Sequence, residues 1–179
     1  VLYMTAGFDG QPLLEEQKRF GNSVARYLDI QNEASQYCAN QHQHNVGIAL
    51  HSLRAVPADP MNEVINHFVK QSVSCPIHVH IAEQTQEVEQ SIKSLGKRPV
   101  EWLLDNHAVD QQWCLIHATH MTPEETTALA RSGATVGICP TTEANLGDGL
   151  FPLREYLDQG GHIAIGSDGN TCTNPMEEL

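Results

Sequence analysis

The chain has 179 residues, 40% hydrophobic and 18% charged, with 10 Lys and Arg against 22 Asp and Glu for a formal net charge of -12. That length suits a single domain with a sizeable core, and no run of about 18 apolar residues offers a membrane span. The acidic balance repels phosphate backbones and anionic lipid surfaces, so neither nucleic acid nor a membrane is an expected partner.

In chain order the sequence predicts a strand at 1 to 4 (VLYM), a helix over roughly 12 to 42, a strand at 45 to 52 (NVGIALHS) and a helix at 59 to 73. A strand at 75 to 83 (CPIHVHIAE) follows, then helices at 84 to 94 and 98 to 106, and a strand at 113 to 120 (WCLIHATH). The last elements are a helix at 122 to 132, a strand at 134 to 140 (ATVGICP), a helix at 150 to 159 and a strand at 162 to 168 (HIAIGSD). The apolar runs are nearly continuous, as strands buried on both faces require. TPEE at 122 to 125 reads as a capping box, and the glycines of RSGA and DQGG read as helix stops. Alternating strand and helix implies a parallel sheet with helical crossovers, either doubly wound or closed into a barrel.

Polar residues at the strand ends decide between the two. His51 with Arg54, His80 with Glu83, His117 with His120, and Asp168 all fall at or just past C-terminal strand tips. A (β/α)8 barrel builds its active site there from several strands, whereas an open sheet concentrates its site at one switch point. A whole barrel needs about 250 residues in eight strands. The six strand-like runs therefore read as part of an α/β TIM-type barrel, about strands 3 to 8, with residues 1 to 179 as one partial domain cut at both ends.

Histidine nitrogens and a carboxylate are ligands for a catalytic divalent metal, and on residue type alone His80, His117 and Asp168 are the candidates. The five cysteines are odd in number, lack a C-x-x-C pair and fit a reducing cytoplasm; Cys75, Cys114 and Cys139 read as buried thiols without chemistry. His78 reads as a packed, hydrogen-bonded bystander one pleat below His80. His42, His44, His67 and His107 read as surface residues, His162 as the start of its strand, and His120 is left open. The loop TTEANLGDG (141 to 149) follows a strand and can cover a substrate, with Glu143 and Asn145 as polar contacts.

HVHIAEQ (78 to 84), IHATHM (116 to 121) and IGSD (165 to 168), in this order, resemble the amidohydrolase superfamily of metal-dependent barrel hydrolases. AGFDGQ, HSLRAV, HVHIAEQTQEVE and CPTTEANLGDGLFP extend the resemblance to its formiminoglutamate deiminase subfamily, over the whole chain. The subfamily converts N-formimino-L-glutamate and water to N-formyl-L-glutamate and ammonia in histidine degradation.

The resemblance implies His80 and Asp168 as ligands of one divalent metal, zinc first, with iron or manganese also compatible. It implies Glu83 as the acid/base, His117 facing the attacking water or substrate rather than the metal, and His51 with Arg54 binding substrate carboxylates. Two further ligands come from an H-x-H motif on the first barrel strand, which this chain lacks; HQH at 42 to 44 precedes a strand and does not replace it. Gly169 stands where the subfamily usually carries serine. The expectations are thus a cytoplasmic C–N hydrolase with a small-molecule substrate, forming a homo-oligomer through open sheet edges, and a 179-residue chain inactive and weakly metal-binding by itself. The alternatives are an aminohydrolase of cyclic amidines such as guanine, an adenosine-type base or a triazine, and a non-catalytic structural or binding fragment.

Overall fold

The apolar runs become short parallel strands joined by helices in a computed structural model, which describes residues 1–39, 43–70, 75–169 and 174–179. His42, Cys172 and the ends of two expected helices, 40–42 and 71–73, lie outside the described residues. The chain divides into two compact units, Val1–Val79 and His80–Leu179. In the first unit, α1 (Glu15–Lys18), α2 (Val24–Cys38) and α3 (Ala58–Lys70) accompany β1 (Ile48–Ser52) and the start of β2 (Ile77–Ile81). The second carries the tip of β2, α4 (Thr85–Leu95), α5 (Pro99–Asn106), β3 (Trp113–His117), α6 (Pro123–Ser132), β4 (Thr135–Ile138), α7 (Pro140–Leu146), α8 (Leu153–Asp158) and β5 (His162–Ile165).

β3, β4 and β5 pair in parallel, with Leu115 opposite Val136 and Val136 opposite Ile163. The end of β2 lies along β3 through Ala118 N–H to the Ile81 carbonyl, 3.0 Å, and β1 lies along β2 through Ile48 N–H to the Pro76 carbonyl, 2.8 Å. Parallel strands need crossovers, and the helices supply them. Leu103, Leu115, Leu129, Val136 and Tyr156 form the core of the second unit, and Leu2, Tyr27, Ile48, Leu50 and Met61 that of the first. Among the described residues no helix is long and apolar enough to cross a membrane.

Several expectations change. The first helix is two helices, because Phe20 to Asn22 turn and Ser23 caps α2, its hydroxyl accepting from Arg26 N–H at 3.2 Å. VLYM contributes only an isolated bridge, Leu2 to Leu50, before the chain bends at Thr5 to Gly10. Residues 141–146, expected as loop, belong to the helix α7, opened by Pro140, the expected end of a strand, and closed by Gly147 at a left-handed φ of 71°. His78 is exposed rather than packed, since Ile77, Val79 and Ile81 take the buried side of β2. His107 is not a surface residue: its ring lies 5.8 Å from Trp102 and 5.7 Å from Trp113, and burial lowers its pKa. The capping box of α6 forms as expected, Thr122 and Glu125 exchanging hydrogen bonds of 2.8 and 3.2 Å.

Candidate active site

In the first unit His51 is the penultimate residue of β1. Its Nδ1 lies 3.0 Å from Ser52 Oγ and its ring stands edge-on to Tyr3 at 4.4 Å. With Tyr3, Gln17 and Phe20 it lines a cavity of about 380 Å³, large enough for a small ligand. Arg54 follows in the loop after β1, half-buried, its carbonyl held by the Thr5 hydroxyl at 3.1 Å. Among the described residues its guanidinium makes no ion pair.

In the second unit the tips of β2 and β3 lie side by side. The rings of His80 and His117 stack at 5.6 Å with 28° between their planes, and His117 Nε2 is 3.8 Å from Glu83 Oε1. Both tips turn through left-handed backbone at non-glycine residues: Ala82 (φ 50°), His117 (72°) and Ala118 (48°); Asp168, past β5, does the same (36°). Such conformations are costly and cluster where a site dictates them. Glu87 holds the first turn, its carboxylate accepting from Ala82 N–H and Glu83 N–H, each at 3.0 Å.

α7 ties the tips together. Glu143 Oε1 accepts from His117 Nδ1 at 3.0 Å and from Cys139 N–H at 2.8 Å. Thr142 Oγ1 accepts from Gly169 N–H at 3.0 Å and donates to the Ser167 carbonyl at 3.3 Å, so it brackets Asp168. Just past α7, buried Asp148 accepts from Gln84 Nε2 at 2.9 Å through Oδ1, and its carbonyl accepts from His120 Nε2 at 2.7 Å. His120, left open by the sequence, thus serves the loop. Asn145 is exposed on α7.

The cluster is strongly acidic, and its titratable neighbours respond. Burial alone lowers the His117 pKa, but the Glu143 hydrogen bond and the charges of Glu83, Glu143 and Asp168 outweigh it and hold the imidazole above its ordinary range. Burial, then the charges of Asp168, Glu143, Glu178 and Glu83, push the Cys139 thiol up to about 12.

Donor atoms of His117, Cys139 and Glu143 lie within 4.8 Å of one another, which raises them as a metal group beside the expected His80 and Asp168. In the structure one Glu143 oxygen takes both the His117 and the Cys139 N–H groups, and the thiol remains protonated at neutral pH. They form a hydrogen-bonded cluster. His80 and Asp168 offer one imidazole nitrogen and one carboxylate, a donor set that suits zinc and its neighbours in the first transition row.

Glu83, His80, His117 and Asp168 are therefore gathered in the second unit, while His51 and Arg54 stand at the strand tip of the first. Sequence reasoning missed Glu87 and Asp148 and undervalued Glu143. A signal for two of them exists: Glu87 and Glu143 each sit four places after a strand-end residue, Glu83 and Cys139, which lets the carboxylate fold back onto that residue's N–H.

Residues 17–179 match the model of the Amidohydrolase family. The chain is 46% identical to the formimidoylglutamate deiminase of Pseudomonas aeruginosa over 181 aligned residues, covering 100% of this chain and 39% of that protein. The crystal structure of an amidohydrolase from Brucella melitensis matches at a TM-score of 0.93 and 44% identity, over 99% of this chain and 39% of that one. An adenosine deaminase from Xanthomonas campestris with bound zinc matches at a TM-score of 0.75 and 24% identity, over 82% of this chain and 33% of that one, a likeness of fold alone. The chain thus spans only 39% of the length of the first two, and its α/β fold is that of a partial barrel. With its parallel strands and its polar residues gathered at the strand tips, the chain belongs to the amidohydrolase family.

Proposed function

We propose that the full-length protein carrying this chain hydrolyses N-formimino-L-glutamate to N-formyl-L-glutamate and ammonia. The observation that carries the reading is Glu83 Oε1 set 3.8 Å from His117 Nε2, beside the stacked His80 ring. A proton-transfer carboxylate next to a histidine at parallel strand tips is what hydrolytic loss of ammonia from an amidine needs. The identity of 46% to a formimidoylglutamate deiminase along the whole chain supports the choice of substrate.

Each residue then has a task. Arg54 makes two parallel hydrogen bonds to a substrate carboxylate through its planar guanidinium, and His51 adds a donor. His80 and Asp168 would hold one divalent cation, zinc first with iron or manganese also compatible, which when bound supplies Lewis-acid charge and brings the pKa of water down toward about 7. Asp168 accepts the proton of the water that attacks the formimino carbon. His117, its pKa raised by its carboxylate neighbours, turns Nε2 to the reacting group and stabilises the charge that develops there. Glu83 delivers a proton to the departing nitrogen, a contribution of about 10² to 10⁴-fold. Ammonia leaves and the N-formyl product remains.

Ammonia release from N-formimino-L-glutamate, guanine and adenosine, measured side by side with the full-length protein, tests this. Release from the first alone is the expected result. No release from it overturns the reading, and release from a purine instead transfers the site to cyclic amidines, which have no carboxylate for Arg54.

A further inference from the structure

His117 closes β3 with its side chain 1% exposed and its backbone at a φ of 72°, a conformation that must be imposed by its surroundings. The imposing group on the Nδ1 side is Glu143. A carboxylate cannot donate, so the 3.0 Å contact places the proton on Nδ1. The same oxygen accepts the Cys139 N–H at 2.8 Å, which fixes its position independently of the histidine.

Glu143 is itself anchored at both ends of α7. Its carbonyl accepts from Asp148 N–H at 3.0 Å, and the preceding residues Thr141 and Thr142 bind Glu178 at 2.5 Å and Gly169 at 3.0 Å. The acceptor therefore cannot follow the imidazole if the ring turns. On the opposite edge of the ring, Nε2 faces Glu83 at 3.8 Å.

We propose that Glu143 is a positioning residue: its Oε1 keeps the His117 proton on Nδ1, so that Nε2 is the atom that faces Glu83 and exchanges protons or hydrogen bonds with the reacting group. The proposal deepens the hydrolase reading and rests on it for its kinetic consequences. Loss of the acceptor frees the ring to flip about χ2 and to move its proton to Nε2, where it would bind Glu83 and stand in the way of substrate. Histidines that serve at reaction centres depend on such a partner for tautomer and orientation.

Two substitutions separate positioning from simple structure. Glu143→Gln keeps a carbonyl oxygen, which the Cys139 N–H holds in place, and so preserves the acceptor for Nδ1–H. Glu143→Leu keeps the bulk and removes the acceptor. In the full-length protein, Glu143→Leu is expected to lower kcat by about 10²-fold with KM little changed, while Glu143→Gln stays within about tenfold of the wild type. In a His117→Asn background, Glu143→Leu should lower kcat no further. Nitrogen-15 NMR of the histidine rings, with His117 assigned through His117→Asn and the pH raised until its ring is neutral, needs no substrate. It should find the proton on Nδ1 in the wild type and in Glu143→Gln.

The proposal is overturned if Gln and Leu cost the same, if the Leu loss persists without His117, or if the wild-type proton is on Nε2. A wild type without turnover of N-formimino-L-glutamate sinks the proposed reaction, and the NMR result then decides the role of Glu143 alone. Should Glu143→Leu fail to fold, the wild-type and Glu143→Gln spectra still decide between Nδ1 and Nε2.

Discussion

The two units hold the polar groups at their strand tips by different means. In residues 80–179, buried carboxylates fold back onto backbone amides: Glu87 on Ala82 and Glu83, Glu143 on Cys139, and Glu125 on Thr122 and Glu101. In residues 1–79 the anchors are neutral. The Tyr27 hydroxyl accepts from Ala49 N–H at 2.9 Å and donates to its carbonyl at 3.3 Å, Thr5 holds the Arg54 carbonyl, and His51 sits between Ser52 and Tyr3. Asp and Glu also outnumber Lys and Arg far more heavily in 80–179 than in 1–79. Among the described residues the Arg54 guanidinium has no ion-pair partner. In the second unit the carboxylates raise the pKa of the His117 imidazole, and burial together with the same carboxylates raises that of the Cys139 thiol. The acidic charge of the chain is thus concentrated in its second unit.

The largest effect expected from breaking this division lies at Glu83. Replacing it by Gln keeps size and hydrogen bonding but removes the transferable proton, and kcat/KM for ammonia release should fall by about 10² to 10⁴-fold at unchanged thermal midpoint. A fall of less than tenfold would remove Glu83 from the proton path.

Next comes the contrast between the two kinds of anchor. Glu87→Leu orphans two backbone amides of the β2 turn and should cost about 2 to 5 kcal/mol in urea unfolding, whereas Tyr27→Phe takes a neutral acceptor from the Ala49 N–H and the Gln31 side-chain amide and should cost about 1 to 3 kcal/mol. Equal losses would mean that charge adds nothing to the anchoring.

Arg54→Met should raise KM for N-formimino-L-glutamate by about 10 to 100-fold and leave kcat nearly unchanged, the signature of lost binding shared by ground and transition states. A kcat effect equal to that of Glu83→Gln would put Arg54 in the chemistry instead.

The smallest effect is a pH dependence. The folded-state pKa of His117 is raised above 6.5, so its protonated form favours the fold. In chelator-treated protein, the stability difference between wild type and His117→Asn should be fully present below pH 6.5 and shrink as pH rises through the raised value. A difference that grows with pH would show that burial, not the carboxylates, controls the imidazole.

Much of this was legible in the chain itself. Five near-continuous apolar runs became β1 to β5, and the Thr122–Glu125 box and Gly133 marked the ends of α6, because buried parallel strands and helix caps leave local signatures. His80, Glu83 and His117 could be picked out because each lies at or beside the C-terminal tip of such a run. The single bridge at Leu2 escaped, since pairing depends on where the chain turns afterwards. So did α7, whose seven residues carry turn formers and no apolar period to betray a helix.

What the sequence determined, then, is the alternation of strands and helices and the residue types at the strand tips, because hydrophobic periodicity and chain order are local properties. The tertiary structure alone decided that a short helix after β4 carries the carboxylate that meets His117, and that Cys139 stays a neutral thiol among acids. Those outcomes depend on burial and on distances between groups far apart in the chain, 26 residues for His117 and Glu143 and more for Cys139 and Glu83, neither of which has a local pattern to be read.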